Sequence, residues 1–202
     1  MIVNKVSKRY YIGMDNVRLF ELTEQIGSLL RSAKRNSENN AGLQPVHYQV
    51  LAYLGRCNRF SNTPAAVTAY LAITKGTVSQ SLSLLERKGL VCKAPDLKDR
   101  RVVHLHLTRQ GIQLLEGTMP PSIWKAACES LNEAELYAIQ SSVESLLRSL
   151  QRANNSRMFG ICHTCRYLIN EKREYFCGLT DEKLEPEETM QICHEHAFPD
   201  AA

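Results

Sequence analysis

No apolar run in this 202-residue chain approaches the roughly 20 residues needed to cross a bilayer. The opening stretch, MIVNKVSKRYYIGMDN, is basic but lacks the apolar segment of a signal peptide. Both absences lead to the expectation of a cytoplasmic protein with no membrane partner, in which thiols stay reduced. Internal repeats are also missing. Near the cysteines there are no paired carboxylates, no nucleophile–base motif and no phosphate loop, which argues against an enzyme. With 44% hydrophobic residues, the chain is long enough for one substantial core plus a small appendage.

The net charge of +4 hides an asymmetry. Residues 1–156 hold 20 Lys and Arg against 12 Asp and Glu, a net of +8; residues 157–202 hold 5 against 9, a net of −4. A basic body suits a polyanionic partner, whereas the acidic tail does not.

Hydrophobic periodicity predicts a helix over Met14–Ser37, with Val17, Phe20, Leu22, Ile26, Leu29 and Leu30 near the helical period. After the polar SENNAG, Gln44-Pro45 opens a second helix through VHYQVLAYLGRC, with Pro45 suited to its first turn. Thr63 is an N-cap candidate and Pro64 a first helical residue for AAVTAYLAI. Thr74 is the next N-cap, for a helix over Lys75–Lys88 that stops at Gly89. Val91–Ala94 and Val102–Leu107, joined by the charged PDLKDRR, read as a hairpin. A helix through GIQLLEGT then meets a break at Pro120-Pro121 before IWKAACES. The last helix starts at Asn132, with Glu135 completing a capping box, and runs to about Arg152. ANNSR (153–157) reads as a linker.

Within Lys75–Lys88, Val78, Leu82 and Leu85 share one face, expected to anchor the helix. Gly76, Gln80, Ser83 and Arg87 lie opposite, flanked by Thr77 and Ser79. Small hydroxyl side chains and an amide allow close approach to base edges, and Gln pairs two-fold with adenine. Lys75 and Arg87 are better placed for phosphates. A plain solvent-facing surface is the competing account, but such a surface more usually carries Glu, Lys and Arg. In the hairpin turn, Lys98, Arg100 and Arg101 cluster with Asp96 and Asp99. Arginine suits the narrow minor groove, and a neighbouring Asp can hold its guanidinium through paired hydrogen bonds.

TKGTVSQSLSLLERKGLV followed by PDLKDRRVVHLHLT and QG resembles the core of the MarR family of bacterial transcription regulators, over roughly residues 14–152. The family's wing pattern, Asp-x-Arg before a strand ending Leu-Thr-x-x-Gly, falls on Asp99, Arg101, Leu107, Thr108 and Gly111. The resemblance implies a mainly α fold with a small β-hairpin wing, a winged helix-turn-helix with long dimerisation helices. It implies a homodimer on a pseudo-palindromic site in double-stranded DNA, usually a repressor, released by a small-molecule effector or an oxidant. Arg101 would be the minor-groove arginine and Asp99 its support.

The resemblance does not reach residues 158–197. There the spacing is Cys162-x2-Cys165, then Cys177, then Cys193, followed by His194 and His196. A CxxC places two thiolates on one turn, and two later cysteines complete a four-sulfur shell for Zn²⁺ or, alternatively, an iron–sulfur cluster. His163, His194 or His196 could replace one cysteine. Phe159, Tyr167, Leu168, Tyr175, Phe176 and Leu179 are available to pack around such a Cys-rich knot, which about 40 residues would hold poorly without a staple. Cys57, Cys92 and Cys128 are expected to be small buried apolar residues, and His47, His104 and His106 suggest no site.

A DNA-binding regulator is therefore the leading expectation. Two alternatives remain: a metalloenzyme or redox protein centred on the Cys/His tail, and an interaction adaptor that docks through both parts.

Overall fold

The computed structural model describes residues 14–35, 42–97, 99–154, 159–171 and 174–199. Local signals place most helix ends. α1 covers Met14–Arg35; its expected continuation to Ser37 lies outside the described residues. α2 (Pro45–Leu54) carries Pro45 in its first turn, and the Gln44 backbone N–H donates to His47 Nδ1 at 2.8 Å. α3 (Pro64–Leu71) is capped by Thr63, whose hydroxyl accepts from the Ala66 N–H at 3.3 Å. α4 (Lys75–Arg87) is capped by Thr74, which accepts from the Thr77 N–H at 3.2 Å. It ends one residue earlier than expected, with Lys88 as C-cap and Gly89 beyond it at a φ of +67°.

The hairpin is formed by β1 (Val91–Pro95) and β2 (Val103–Leu107), antiparallel, with Val91 opposite Leu107 and Pro95 opposite Val103. Val102 falls outside the strand because its N–H turns in to the Asp99 carbonyl, 2.9 Å away, and closes the tip. α5 (Arg109–Thr118) is capped by Thr108, which accepts from the Gly111 N–H at 3.1 Å. Gly111 has a steric reason to be glycine: a Cβ there would collide with the Leu90 carbonyl oxygen. α6 (Ser122–Glu129) follows the Pro120-Pro121 break. α7 (Glu133–Ala153) opens with the expected box, Asn132 N–H to Glu135 at 2.9 Å and Glu135 N–H to Asn132 at 3.0 Å.

The core lies where α2, α3 and α4 meet the hairpin, around Val50, Leu51, Tyr53, Val67, Val78, Leu85 and Leu105. Burying each such Leu stabilises the fold by about 1.5–3 kcal/mol. The long helices differ. Phe20, Ile26 and Leu29 on α1 and Tyr137, Val143, Leu147 and Leu150 on α7 remain exposed in the single chain. None of the described helices is long and apolar enough to cross a membrane.

The C-terminal region is built of short strands. β3 (Gly160–Ile161) pairs with β7 (Ile192–Cys193), and β4 (Leu168–Glu171), β5 (Glu174–Cys177) and β6 (Glu182–Leu184) form an antiparallel meander. Rather than hanging from α7, it is bound to the α2–α3 connection. The Asn58 N–H donates to the Ile192 carbonyl at 2.9 Å, and the Ile192 N–H donates to the Arg56 carbonyl at 2.8 Å. Phe159 and Ile192 join the main core, Phe159 packing edge-on against Tyr70 with centroids 5.1 Å apart.

Candidate nucleic-acid interface

The anchoring face of α4 is buried through Val78, Leu82 and Leu85, with Ser81 beside them. Lys75, Gly76, Thr77, Ser79, Gln80, Ser83 and Arg87 are all exposed, so the expected reading residues share one solvent-facing surface. Thr77 is partly committed, since its hydroxyl lies 2.9 Å from that of Thr74. At Gly76 the nearest atom to an added Cβ is Thr74 Oγ1 at 3.8 Å, an ordinary contact. Nothing inside the fold requires glycine there.

The hairpin tip is held from within. Asp96 accepts the Asp99 N–H at 2.7 Å, and Asp99 accepts the Arg101 N–H at 3.0 Å. The Arg101 guanidinium forks onto the Asp99 carboxylate, Nε to Oδ1 at 3.0 Å and Nη2 to Oδ2 at 2.8 Å, while its side chain stays 90% exposed. Hydrogen bonds from the Arg101 side chain, then its backbone, hold the Asp99 carboxyl below the usual carboxylate range. The guanidinium is thus aimed before any ligand arrives. Arg100 is exposed beside it, and Lys98 lies outside the described residues.

No local pattern announces the support beneath the tip. His104 joins Asp96 (Nε2 to Oδ2, 3.0 Å) to Asn62 (Nδ1 to Oδ1, 2.5 Å), so it has definite partners. The strand alternation shows only that His104 and His106 share a face; those partners come from other segments. Lys93 pairs with Glu86 at 2.6 Å and joins β1 to α4.

In the C-terminal region, Cys162, Cys165, Cys177 and Cys193 line one small cavity of about 30 Å³. Its walls include Asn58, Phe60, Tyr167, Leu168, Leu179 and Leu184. Phe159, expected around the thiols, packs into the main core instead, edge-on against Tyr53 and Tyr70. Among the described residues, no group of three or more His, Cys, Asp and Glu is arranged to hold a metal ion as it stands. Burial, followed by the neighbouring thiols Cys193, Cys165 and Cys177, pushes the Cys162 thiol up to about 12. Two of the three candidate histidines are engaged elsewhere: His194 lies against Ser61 and Glu195, and His196 against Thr164. Of the scattered cysteines only Cys57 is buried. Cys92 is exposed because β1 turns Val91 inward and its neighbour outward, and Cys128 is half-buried on α6, which buries none of its residues.

A capped, polar-faced helix beside a hairpin with a braced, exposed arginine defines a winged helix-turn-helix module. The comparisons give its type. Residues 41–102 match the model of the MarR family. The HTH-type transcriptional repressor NicR of Pseudomonas putida is 26% identical over 141 residues, which cover 66% of this chain and 89% of that protein. Streptococcus pneumoniae FabT, solved in complex with DNA, is 27% identical with a TM-score of 0.55, over 69% of this chain and 99% of its own. The S. aureus MepR–DNA complex is 25% identical with a TM-score of 0.52, over 64% and 96%. The fold is thus a MarR-like winged helix, and about a third of this chain lies outside each match.

Proposed function

We propose that this chain is a MarR-type DNA-binding transcription regulator, acting as a repressor. α4 enters the major groove through Gly76, Thr77, Ser79, Gln80 and Ser83, with Lys75 and Arg87 on phosphates. Arg101, braced by Asp99 and flanked by Lys98 and Arg100, enters the minor groove. The observation that carries this reading is the exposed guanidinium held in a fork at the hairpin tip, beside a solvent-exposed polar helix face. The repressor and DNA-bound relatives above support it.

The protein acts as a homodimer, and the exposed apolar residues of α1 and α7 are the surface that a second copy covers. Two copies then present two α4 helices to a pseudo-palindromic operator, and a small-molecule effector releases them. The C-terminal thiols hold a metal centre, structural or sensory. The test is selection of bound genomic fragments followed by fluorescence anisotropy on the operator found. Arg101→Ala should weaken binding at least about tenfold while the melting temperature holds. Unchanged affinity on that operator rejects the wing assignment, and failure to select any fragment rejects the DNA-binding reading.

A further inference from the structure

The thiol cavity does not belong to the C-terminal region alone. Asn58 and Phe60, two of its walls, come from the α2–α3 connection of the winged helix. Cys193 follows Ile192, which forms a parallel bridge with Cys57, and the next residue, His194, donates its backbone N–H to Ser61 Oγ at 2.9 Å. Ser61 in turn donates to Asn58 Oδ1 at 2.6 Å. On the outer side Arg59 bonds Glu188 at 2.6 Å and the Lys183 carbonyl at 2.7 Å. The connection between the two helices is therefore gripped along its length by the segment that carries the thiols.

The same connection supports the wing. Asn62 accepts the Leu105 N–H of β2 at 2.7 Å through its carbonyl, and its side chain meets His104. His104 holds Asp96, and Asp96 holds the Asp99 backbone, whose carboxylate aims Arg101. Hydrogen bonds, joined through the chain-adjacent pairs Cys193-His194 and Ser61-Asn62, thus link the thiol segment to the exposed guanidinium. Ser61 is fully buried and Asn58 and Asn62 are nearly so, which leaves little room for one end to move alone.

We propose that Cys162, Cys165, Cys177 and Cys193 together bind a thiophilic metal centre, one zinc ion or one iron–sulfur cluster per chain, and that this centre holds the Asn58–Asn62 connection in the shape the wing needs. Four thiolates around one enclosed, apolar-walled space are the donor set that zinc and iron–sulfur clusters share. As they stand the side chains do not close on a single ion, so binding draws the sulfurs inward and releases their protons to solvent. Loss of the centre loosens β7, then the connection, then the wing. The coupling half of the proposal rests on the DNA-binding reading; the metal half does not.

The test uses the full-length chain purified without oxygen from cells grown with both metals. Zinc, iron and acid-labile sulfide are measured with the visible spectrum, and amide exchange is followed over residues 58–62. About one zinc in a colourless protein assigns the ion; iron with matching sulfide in a brown protein assigns the cluster. Cys177→Ser should lose the metal, and exchange at 58–62 should rise at least about tenfold. Operator affinity should fall by a similar factor. Removing the metal from the wild type and restoring it should reproduce and reverse the effect, which separates coupling from misfolding of the variant. Metal below about 0.1 per chain under all conditions overturns the site. Metal loss with unchanged exchange at 58–62 overturns the coupling. A protein that binds metal and protects 58–62 yet selects no DNA overturns only the DNA-binding reading.

Discussion

Gly76→Ala separates what the fold needs at α4 from what a ligand needs. Glycine in a helix is less favourable than alanine by about 0.5–1 kcal/mol, because it gives up more backbone freedom on folding. Gly76 is the second residue of α4, and an added Cβ there would find only Thr74 Oγ1, at 3.8 Å. The substitution should therefore stabilise the protein, by about 0.5 kcal/mol since a first-turn position gains least. For a chain of this size that is a rise of about 1–2 °C in melting temperature. DNA affinity should move the other way. If α4 enters the groove as proposed, a methyl on the exposed face of its first turn stands at that contact, and binding should weaken at least about tenfold. Calorimetry and operator anisotropy on the same sample read the two effects. A variant that is more stable and binds as well as the wild type would refute the placement of the α4 first turn against DNA.

Other perturbations test the wing, the α5 packing and the start of α2. Asp99→Ala should weaken operator binding less than Arg101→Ala, because it removes the brace and keeps the cation; equal losses would show that the fork does more than aim Arg101. Gly111→Ala drives a methyl into the Leu90 carbonyl oxygen, so urea unfolding should show a loss of about 1–3 kcal/mol, and an unchanged midpoint would contradict the packing of α5 on Leu90. His47 accepts the Gln44 N–H through Nδ1 and so must be neutral; burial, followed by the charge of Lys88, lowers its pKa below 6.5. The unfolded chain thus binds the proton more readily, and stability present above pH 6.5 falls as the pH drops toward the folded-state value. Melting temperatures from pH 7 to 5 should decline, and His47→Gln, which keeps an acceptor, should flatten the decline.

Much of the winged helix is readable in the chain because its determinants are local. Thr63-Pro64, Thr74, Gly89, Thr108 and the Asn132–Glu135 box each act within a few residues, so cap chemistry and helical period place these elements to within a residue or two, whereas α2, with no such stop signal, ends at Leu54, three residues short of the expected Cys57. The polar face of α4 follows from the same period. The Asp99–Arg101 fork is equally local, spanning two residues. What could not be read there is contact between distant segments. His104 finds Asn62 across 42 positions, and Ser61 meets His194 across 133. No spacing rule links such residues, because only packing brings them together.

The amino-acid sequence by itself determined the helices, the wing, the polar face of α4 and the presence of four thiols in the last 41 residues. Each of these depends on backbone preference, periodicity or short-range hydrogen bonding. Tertiary structure alone decided that Phe159 enters the core, that the thiols share a cavity with Asn58 and Phe60, and that the C-terminal strands grip the α2–α3 connection. Burying Phe159 and Ile192 beside Tyr53 and Tyr70 removes apolar surface that a free tail would leave in water, and that gain fixes where the cysteines sit.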